Sequence, residues 1–365
     1  MDSQQSAYRH PALGRRTAVR IRLADVEPSP DVFAAVMATG ILSIVARYHR
    51  YRWISDALGV VAAVGLVFLV VLVLMTVVLA FRGRRMVRWD LTDPDVTLRL
   101  FTFVAACAVV DARLSFNVSV LRVLGAVALL SWLALTALSA RNMWARRPAV
   151  LRDHAHGAWE LASVGTSAVA IVMAQVAHYT GHRWWLVIAV PVWVAAICMY
   201  GLMTWLILWR VVRQRQSPVR EREAFEPDSW ILMGGLAIAT LAGDKLHALA
   251  PAWLAGPIRL VTVVTWLAAT LWIPPLVYFG LHRIGQRPDL LRFAGVWWAL
   301  VFPLGMYSAA TYAMASEIHR PSLTTVSLVF FWDALAAWLI VVFAGLRRLW
   351  RVLASDRANR DAGRP

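Results

Sequence analysis

The fold of the chain is best approached from one stretch, Arg292–Tyr312, with the sequence R-F-A-G-V-W-W-A-L-V-F-P-L-G-M-Y-S-A-A-T-Y. Residues 293–314 carry no formal charge. At 1.5 Å per residue they extend over about 33 Å, which is enough for a helix to cross the hydrocarbon core of a bilayer. Pro303 predicts a kink in the middle of this helix, because proline cannot donate the hydrogen bond to the carbonyl one turn earlier. The stretch therefore predicts a bent membrane-spanning helix.

One face of this helix carries a large aromatic ring beside small residues. At helical spacing, Phe302 is followed on the same face by Gly305 and Ala309. This pattern predicts a groove next to a single aromatic side chain at the bend. Small residues also let neighbouring helices pack closely, so the pattern alone leaves both interpretations open.

The composition of the chain is typical of a membrane protein. Of its 365 residues, 60% are hydrophobic and 16% are charged, and the mean hydropathy is +0.60. The 19 tryptophans suit two interfacial belts, since the indole ring is apolar with one polar edge. Cys107 and Cys198 both lie in apolar runs, which favours small core residues over a disulfide or a metal site. We expect no metal and no cofactor.

Ten apolar segments are predicted to span the membrane. Residues 30–347 form this transmembrane domain, and residues 1–29 and 348–365 are predicted to be basic cytoplasmic tails with no signal peptide. The ten segments cover about residues 30–46, 57–81, 95–112, 118–140, 156–178, 184–209, 229–249, 258–282, 293–314 and 322–346.

The basic residues predict the orientation of these spans. Of the 37 basic residues, 27 fall in the two tails and in the loops after the second, fourth, sixth and eighth spans. The positive-inside rule therefore predicts that both termini are cytoplasmic and that the protein is a multi-pass protein of the cell membrane. Because topology accounts for most of the net charge of +16, the charge indicates neither a nucleic-acid partner nor an anionic cargo.

Odd-numbered and even-numbered spans differ in composition. The odd spans are interrupted by small, polar or kinking residues, whereas the second, fourth and sixth spans are more uniformly apolar, as lipid-facing helices are. Irregular or polar helix is tolerated in a membrane where it lines a cavity or is covered by protein. The alternation therefore predicts an inner ring of odd helices with even helices outside, although Pro191, Pro274 and Asp333 depart from it.

Two segments resemble the tellurite-resistance and dicarboxylate transporter family, which includes the plant slow-type anion channels and the fungal malate permease. Residues 30–43, P-D-V-F-A-A-V-M-A-T-G-I-L-S, resemble the family's P-x-x-F-x-x-V-M-G-T-G-I-x-S. Residues 297–305, W-W-A-L-V-F-P-L-G, are similar to its W-W-A-Y-T-F-P segment. The resemblance covers about residues 28–347 and departs at Ala38, where the family usually has glycine.

The resemblance implies an all-α polytopic membrane protein. Its ten transmembrane helices form five helical hairpins around a central pore that is lined by the odd-numbered helices. Family members assemble as homotrimers with one pore per subunit, and a phenylalanine of the ninth helix occludes the pore. The motif assigns this gate to Phe302, next to Pro303, with Phe293 as the alternative if the register differs. Chloride, nitrate, malate and tellurite-linked phenotypes all occur in the family.

Nine residues are candidates for lining the pore. The hydroxyl groups among them are weak donors for an anion, but each can equally bond to its own helix backbone. The candidates are Phe33, Thr39, Gly40, Ser43, Thr166, Ser167, Thr240, Gly305 and Ser308.

Two ionisable residues in the spans are further candidates, because a charge within a membrane is costly and usually functional. Glu160, near the start of the fifth span, would repel an anion in the pore. We expect it to pair with a cation such as Arg99 or to take part in proton coupling. Arg99 itself would attract anions at the inner mouth or extend its side chain to the cytoplasmic surface.

The sequence favours passage of small anions and not catalysis. Neither paired carboxylates nor an H-E-x-x-H pattern is present in the spans, so the chain is predicted not to be an enzyme. The predicted partners are a small inorganic or dicarboxylate anion and the lipid bilayer, with no nucleic acid. The alternative function is a proton-coupled dicarboxylate or organic-anion carrier, including a tellurite-resistance-linked exporter.

Overall fold

The computed structural model describes residues 29–81, 89–114, 118–214, 227–286 and 297–361. These residues form helices and, within the described ranges, no strand. Two short 3-10 segments, Gly157–Glu160 and Pro227–Ser229, precede α7 and α9. The α-helices are α1 (Ala34–Tyr48), α2 (Arg52–Phe81), α3 (Pro94–Arg99), α4 (Phe101–Arg113), α5 (Val118–Trp144), α6 (Pro148–His154), α7 (Leu161–Thr180), α8 (Trp184–Gln214), α9 (Trp230–His247), α10 (Ala252–Gln286), α11 (Trp298–Glu317) and α12 (Ser322–Asp361).

Within the described ranges, six helical segments are long and apolar enough to cross a membrane, which confirms an all-helical membrane protein. Five of them are α2, α5, α8, α10 and α12, and the sixth is the segment Gly157–Thr180 that contains α7. α1 is apolar but has only 15 residues. The remaining predicted spans correspond to α3 with α4, to α9 and to α11.

Burial separates these helices into an inner and an outer set. In the most apolar window of Gly157–Thr180, 83% of the residues are buried, against 17 to 39% in the five long helices. The side chains of α1, α4, α9 and α11 are also buried along most of their length. The long helices therefore present apolar surface outward, as lipid-facing helices do, and cover the short ones.

The helix contacts follow the order of the chain. Each inner helix packs against the long helix that follows it: α1 on α2, α4 on α5, α7 on α8, α9 on α10 and α11 on α12. The inner helices also pack against one another in the order α1, α4, α7, α9, α11 and back to α1. We call the space that these five helices enclose the ring interior.

Glycines allow the inner helices to approach closely. A Cβ atom on Gly40 of α1 would lie 2.6 Å from Val109 of α4, and one on Gly305 of α11 would lie 3.0 Å from Ile41 of α1. Such distances leave no room for a side chain without movement of the neighbour. Equivalent contacts join Gly165 of α7 to Phe101 of α4 and Gly234 of α9 to Pro303 of α11.

The structure differs from the predicted spans at three places. The third span divides at Leu100 into α3 and α4, and α3 begins at Pro94, with Asp93 as its N-cap. The loop after the fourth span contains α6, and α12 continues to Asp361 through most of the segment that was predicted as a tail. Residues 1–28 and the alternative gate Phe293 lie outside the described residues.

Candidate functional site

Phe302 lies on the face of α11 that turns away from the outer helices. Thr311, nine residues later, accepts a hydrogen bond from the indole nitrogen of Trp266 in α10 (3.2 Å). Nine residues of α-helix rotate by about 900°, which is half a turn beyond two full turns, so Phe302 is on the opposite face. Its side chain has no exposed surface. The neighbouring Pro303 packs against Gly234 of α9, and α11 continues through it.

Two of the predicted pore-lining hydroxyls are directed to outer helices. Thr39 donates to the carbonyl oxygen of Ala35 (2.7 Å) and accepts from the indole nitrogen of Trp338 in α12 (2.9 Å). Thr166 makes the same pair of bonds, to the carbonyl oxygen of Ala162 (2.7 Å) and from Trp132 in α5 (3.0 Å).

The next two predicted hydroxyls, Thr240 and Ser308, behave in the same way. Thr240 donates to the carbonyl oxygen of Leu236 (2.9 Å) and lies 2.9 Å from the hydroxyl of Thr265 in α10. Ser308 donates to the carbonyl oxygen of Ser327 in α12 (2.6 Å), and the Ser327 hydroxyl donates to the carbonyl oxygen of Ser308 (2.8 Å). All four hydroxyls therefore bind inner helices to outer ones.

The remaining candidates are spread around the inner helices. Ser43 donates to the carbonyl oxygen of Ser55 in α2 (2.7 Å) and accepts from Arg113 (2.7 Å). Phe33 packs edge-on against Phe103 of α4, with ring centres 4.8 Å apart. The Ser167 hydroxyl is buried and has no hydrogen-bond partner among the described residues. Gly40 and Gly305 stand at the helix contacts described above.

The helix faces opposite the anchored hydroxyls are mostly apolar. The sequence analysis sought polar groups and therefore did not single out the residues on these faces. The nine-residue spacing that relates Phe302 to Thr311 also relates Tyr48 to Thr39 and Gln175 to Thr166. The same faces carry Met37, Ile41 and Ile44 in α1, Val164, Ala168 and Ile171 in α7, Ile231 and Ile238 in α9, and Met306, Ala309 and Ala313 in α11.

Glu160 is fully buried between α7 and α8. Thr204 of α8 donates to its Oε1 atom (2.7 Å), and the Ser163 hydroxyl lies 3.0 Å from its Oε2 atom. Both partners are neutral. Arg99, the expected partner, instead binds other carboxylates, so Glu160 and Arg99 are not brought together.

Arg99 belongs to a charged cluster where the inner helices begin. Its guanidinium lies 3.0 Å from Asp95 and 3.7 Å from Asp31, and the ring of His156 lies 2.8 Å from Asp95 and 3.7 Å from Asp228. These residues connect the starts of α1, α3, α7 and α9. We call this end of the ring the proximal end and the opposite end the distal end.

The acidic surroundings of His156 change its protonation. Burial alone lowers the pKa of His156, but the hydrogen bond to Asp95 and the negative charges of Asp228 and Asp95 outweigh it, so the pKa is raised above 6.5. Arg99 opposes this increase in pKa. In the described part of the chain, this cluster included, no three His, Cys, Asp or Glu side chains are grouped closely enough to hold a metal ion.

The fold and the burial pattern define a polytopic membrane protein with a buried inner set of helices, an arrangement suited to moving a solute across a bilayer. The family model described as voltage-dependent anion channel (SLAC1) matches residues 28–346. The chain therefore belongs to this family, which confirms the resemblance found in the two sequence motifs.

Three curated relatives are similar to the chain. An uncharacterized membrane protein of Mycobacterium tuberculosis is 34% identical over 160 residues, which are 42% of this chain and 80% of that protein. An uncharacterized transporter of Methanocaldococcus jannaschii is 22% identical over 341 residues, covering 88% of this chain and 93% of the transporter. A second uncharacterized transporter of that organism is 21% identical over 347 residues, which are 90% of this chain and 96% of that transporter.

Proposed function

We propose that this protein passes small anions across the cell membrane through the ring interior, with Phe302 as the gate. The observation that carries the proposal is the position of Phe302: a large, fully buried ring on the face of α11 opposite its contact with α10. Membership of an anion channel family supports a small anion as the cargo and a transport function in place of catalysis.

The wall around Phe302 suits a gate that works without a charged group. Side chains on the inward faces nearby are apolar, among them Met37, Ile41, Ile238 and Met306. An apolar constriction of this kind excludes water and ions until a side chain moves aside. Selectivity would then depend on the width of the passage and on the cost of removing water from the anion, and less on hydroxyls bound to the outer helices.

The proposal includes the finer arrangement implied by the resemblance. Ten spans form five hairpins, with α3 and α4 together making the third span and the odd spans lining the pore. Both termini lie in the cytoplasm, so that the proximal end is cytoplasmic. The protein assembles as a homotrimer with one pore per subunit. The basic loops support the orientation, and the exposed apolar outer helices are surfaces for lipid or for neighbouring subunits.

The test is anion current through purified protein in planar bilayers, for the unaltered chain and for Phe302→Ala. We expect conductance to rise about tenfold or more in Phe302→Ala, because removing the ring widens the apolar constriction. Phe331→Ala is the matched control: Phe331 is equally buried, but it lies in α12 beside His49 and Tyr51. Reversal potentials in mixed chloride, nitrate and malate then rank the permeant anions.

Two results would contradict the proposed gate. An equal rise in Phe331→Ala would show that loosening any part of the bundle causes leakage. Absence of current in all three proteins, together with malate uptake into proteoliposomes that follows an imposed pH gradient, would favour the proton-coupled carrier instead.

A further inference from the structure

The distal end of the ring interior carries a cation that the proposed gate does not use. Lys245, the one lysine in the sequence, follows Gly234 by eleven residues and so lies within about 20° of the same face of α9. That face packs against Pro303 of α11. Gly243, two residues earlier, packs against Thr262 of α10 and Trp193 of α8. Since two residues rotate by about 200°, Lys245 turns away from the outer helices.

A second observation places two phenol groups at the same end of the ring. Asp244, next to Lys245, interacts electrostatically with the phenol of Tyr48 in α1. Tyr48 also stacks on Tyr312 of α11, with ring centres 5.0 Å apart and planes inclined by 20°.

Within the described ranges, two phenol hydroxyls and one amide oxygen at this end have no hydrogen-bond partner, and of these only the hydroxyls can donate to an anion. Among the described residues, the hydroxyls of Tyr48 and Tyr312 make no hydrogen bond, and the side-chain oxygen of Gln175 has no partner. The Lys245 side chain is 43% exposed, so a solute at the mouth can reach its ammonium group. The Lys245 ammonium lies 3.8 Å from the nearest Asp244 oxygen, which is longer than a direct hydrogen bond.

Some charged side chains near the distal end bind neighbouring helices. Arg113 of α4 binds Asp56 of α2. Glu317 of α11 is bound by Arg259 of α10 and lies 3.5 Å from the His247 ring. These ion pairs hold helices together, whereas the Lys245 side chain is partly exposed at the mouth.

We propose that Lys245, with the phenols of Tyr48 and Tyr312, forms an anion-capture site at the distal mouth and favours singly charged anions over dicarboxylates. An ammonium group is a compact point charge, and phenol hydroxyls supply further donors to an anion. Asp244 offsets part of the Lys245 charge, so the site complements one negative charge and repels a second. This inference rests on the proposed anion passage and specifies its cargo.

The experiment compares Lys245→Met, Lys245→Arg and Asp244→Asn, each in the Phe302→Ala background so that the gate does not limit the current. At low salt we expect Lys245→Met to reduce chloride current from the distal side about three- to tenfold, because focused charge raises the local anion concentration. The loss should shrink in about 1 M salt, where charges are screened within about 3 Å. Lys245→Arg should keep most of the current.

Asp244→Asn tests the choice of anion. Removing the carboxylate should raise the permeability of malate relative to chloride, since the second negative charge is no longer repelled. Arg183→Gln, which removes an exposed charge between α7 and α8 at the same end, is the control for general surface potential. It should leave current and selectivity unchanged.

The outcomes separate this inference from the proposed function. If Phe302→Ala conducts anions but Lys245→Met leaves current and selectivity as they were, the capture site is overturned and the channel stands. If malate exceeds chloride with Lys245 and Asp244 intact, the preference for single charge is wrong. No anion current in Phe302→Ala itself rejects the proposed function before Lys245 is considered.

Discussion

Glu160 is a carboxyl group held by two neutral hydroxyls on the side of α7 that faces α8. We expect Glu160→Gln to keep anion current and its pH dependence unchanged, because the side chain does not face the ring interior and an amide fills the same space. Glu160→Ala should cost about 1–3 kcal/mol of unfolding free energy, since Thr204 and Ser163 lose a partner.

The measurements are current in the Phe302→Ala background between pH 5.5 and 8 and thermal unfolding in detergent. A pH dependence that disappears in Glu160→Gln would instead assign Glu160 to proton coupling. The sequence identified Glu160 as unusual but could not identify its partner, because Thr204 is 44 positions away in the next helix. The sequence is equally compatible with Arg99 as the partner of Glu160, but in the structure Arg99 contacts Asp95 and Asp31.

At the scale of helices, hydroxyl groups fasten the inner set to the outer set. Thr240→Val and Ser308→Ala should each lower the unfolding free energy by about 1 kcal/mol, the usual value of one intramolecular hydrogen bond. Their anion selectivity should stay as in the unaltered chain, because both hydroxyls bind outer helices. Thermal unfolding measures the change in stability, and reversal potentials measure the anion selectivity. A shift in relative permeability with unchanged stability would return these hydroxyls to the pore wall.

The close contact between α9 and α11 beside the proposed gate depends on Gly234, which has no side chain. A Cβ atom on Gly234 would lie 3.0 to 3.2 Å from three atoms of Pro303, one of them the backbone Cα. We expect Gly234→Ala to lower stability by about 1–3 kcal/mol, the range for an overpacked core. Gly256→Ala in α10 is the matched control, since nothing lies within 4 Å of its Cβ position. Equal melting temperatures for the two variants would show that α11 moves aside freely.

Helical periodicity predicted the helices but did not identify which face of each helix turns inward. Spacing alone shows that Thr39 and Tyr48 are on opposite faces of α1, but it does not say which face is inside. The search for anion donors favoured the hydroxyl face. The hydrogen-bond partners of these hydroxyls, Trp338 for Thr39 and Trp132 for Thr166, come from helices whose placement the sequence does not specify.

At the scale of the whole molecule, His156 links the stability of the bundle to pH. Its pKa is raised in the folded protein, so its stabilising contribution is complete below about pH 6.5 and is lost as pH rises through the folded pKa. We expect the melting temperature of the unaltered protein to exceed that of His156→Gln most at about pH 6 and less at about pH 8 to 9. A difference in melting temperature that does not change with pH would show that His156 contributes only packing.

The division into buried short helices and exposed long ones was visible in the sequence as alternating composition. The uniform runs of Val, Leu and Ala correspond to the exposed helices α2 and α5. The interrupted segments correspond to buried helices such as α7 and α9. The break at Leu100 was not visible, because Arg99 in an apolar run fits both a continuous span and a short helix that ends in an ion cluster. Charge patterns predict a topology, whereas pairs of side chains on different helices can be identified only from the fold.

The outward direction of the inner-helix hydroxyls has a consequence for how such a protein can change over time. The bonds of Thr39, Thr166, Thr240 and Ser308 that hold the bundle are on one side of each helix, and the residues facing the ring interior contribute few of them. Substitutions on the inward faces can therefore alter the cargo while the scaffold persists. A lineage built this way can diversify in what it carries at little risk to folding, and its members can share an architecture while losing most of their identical residues.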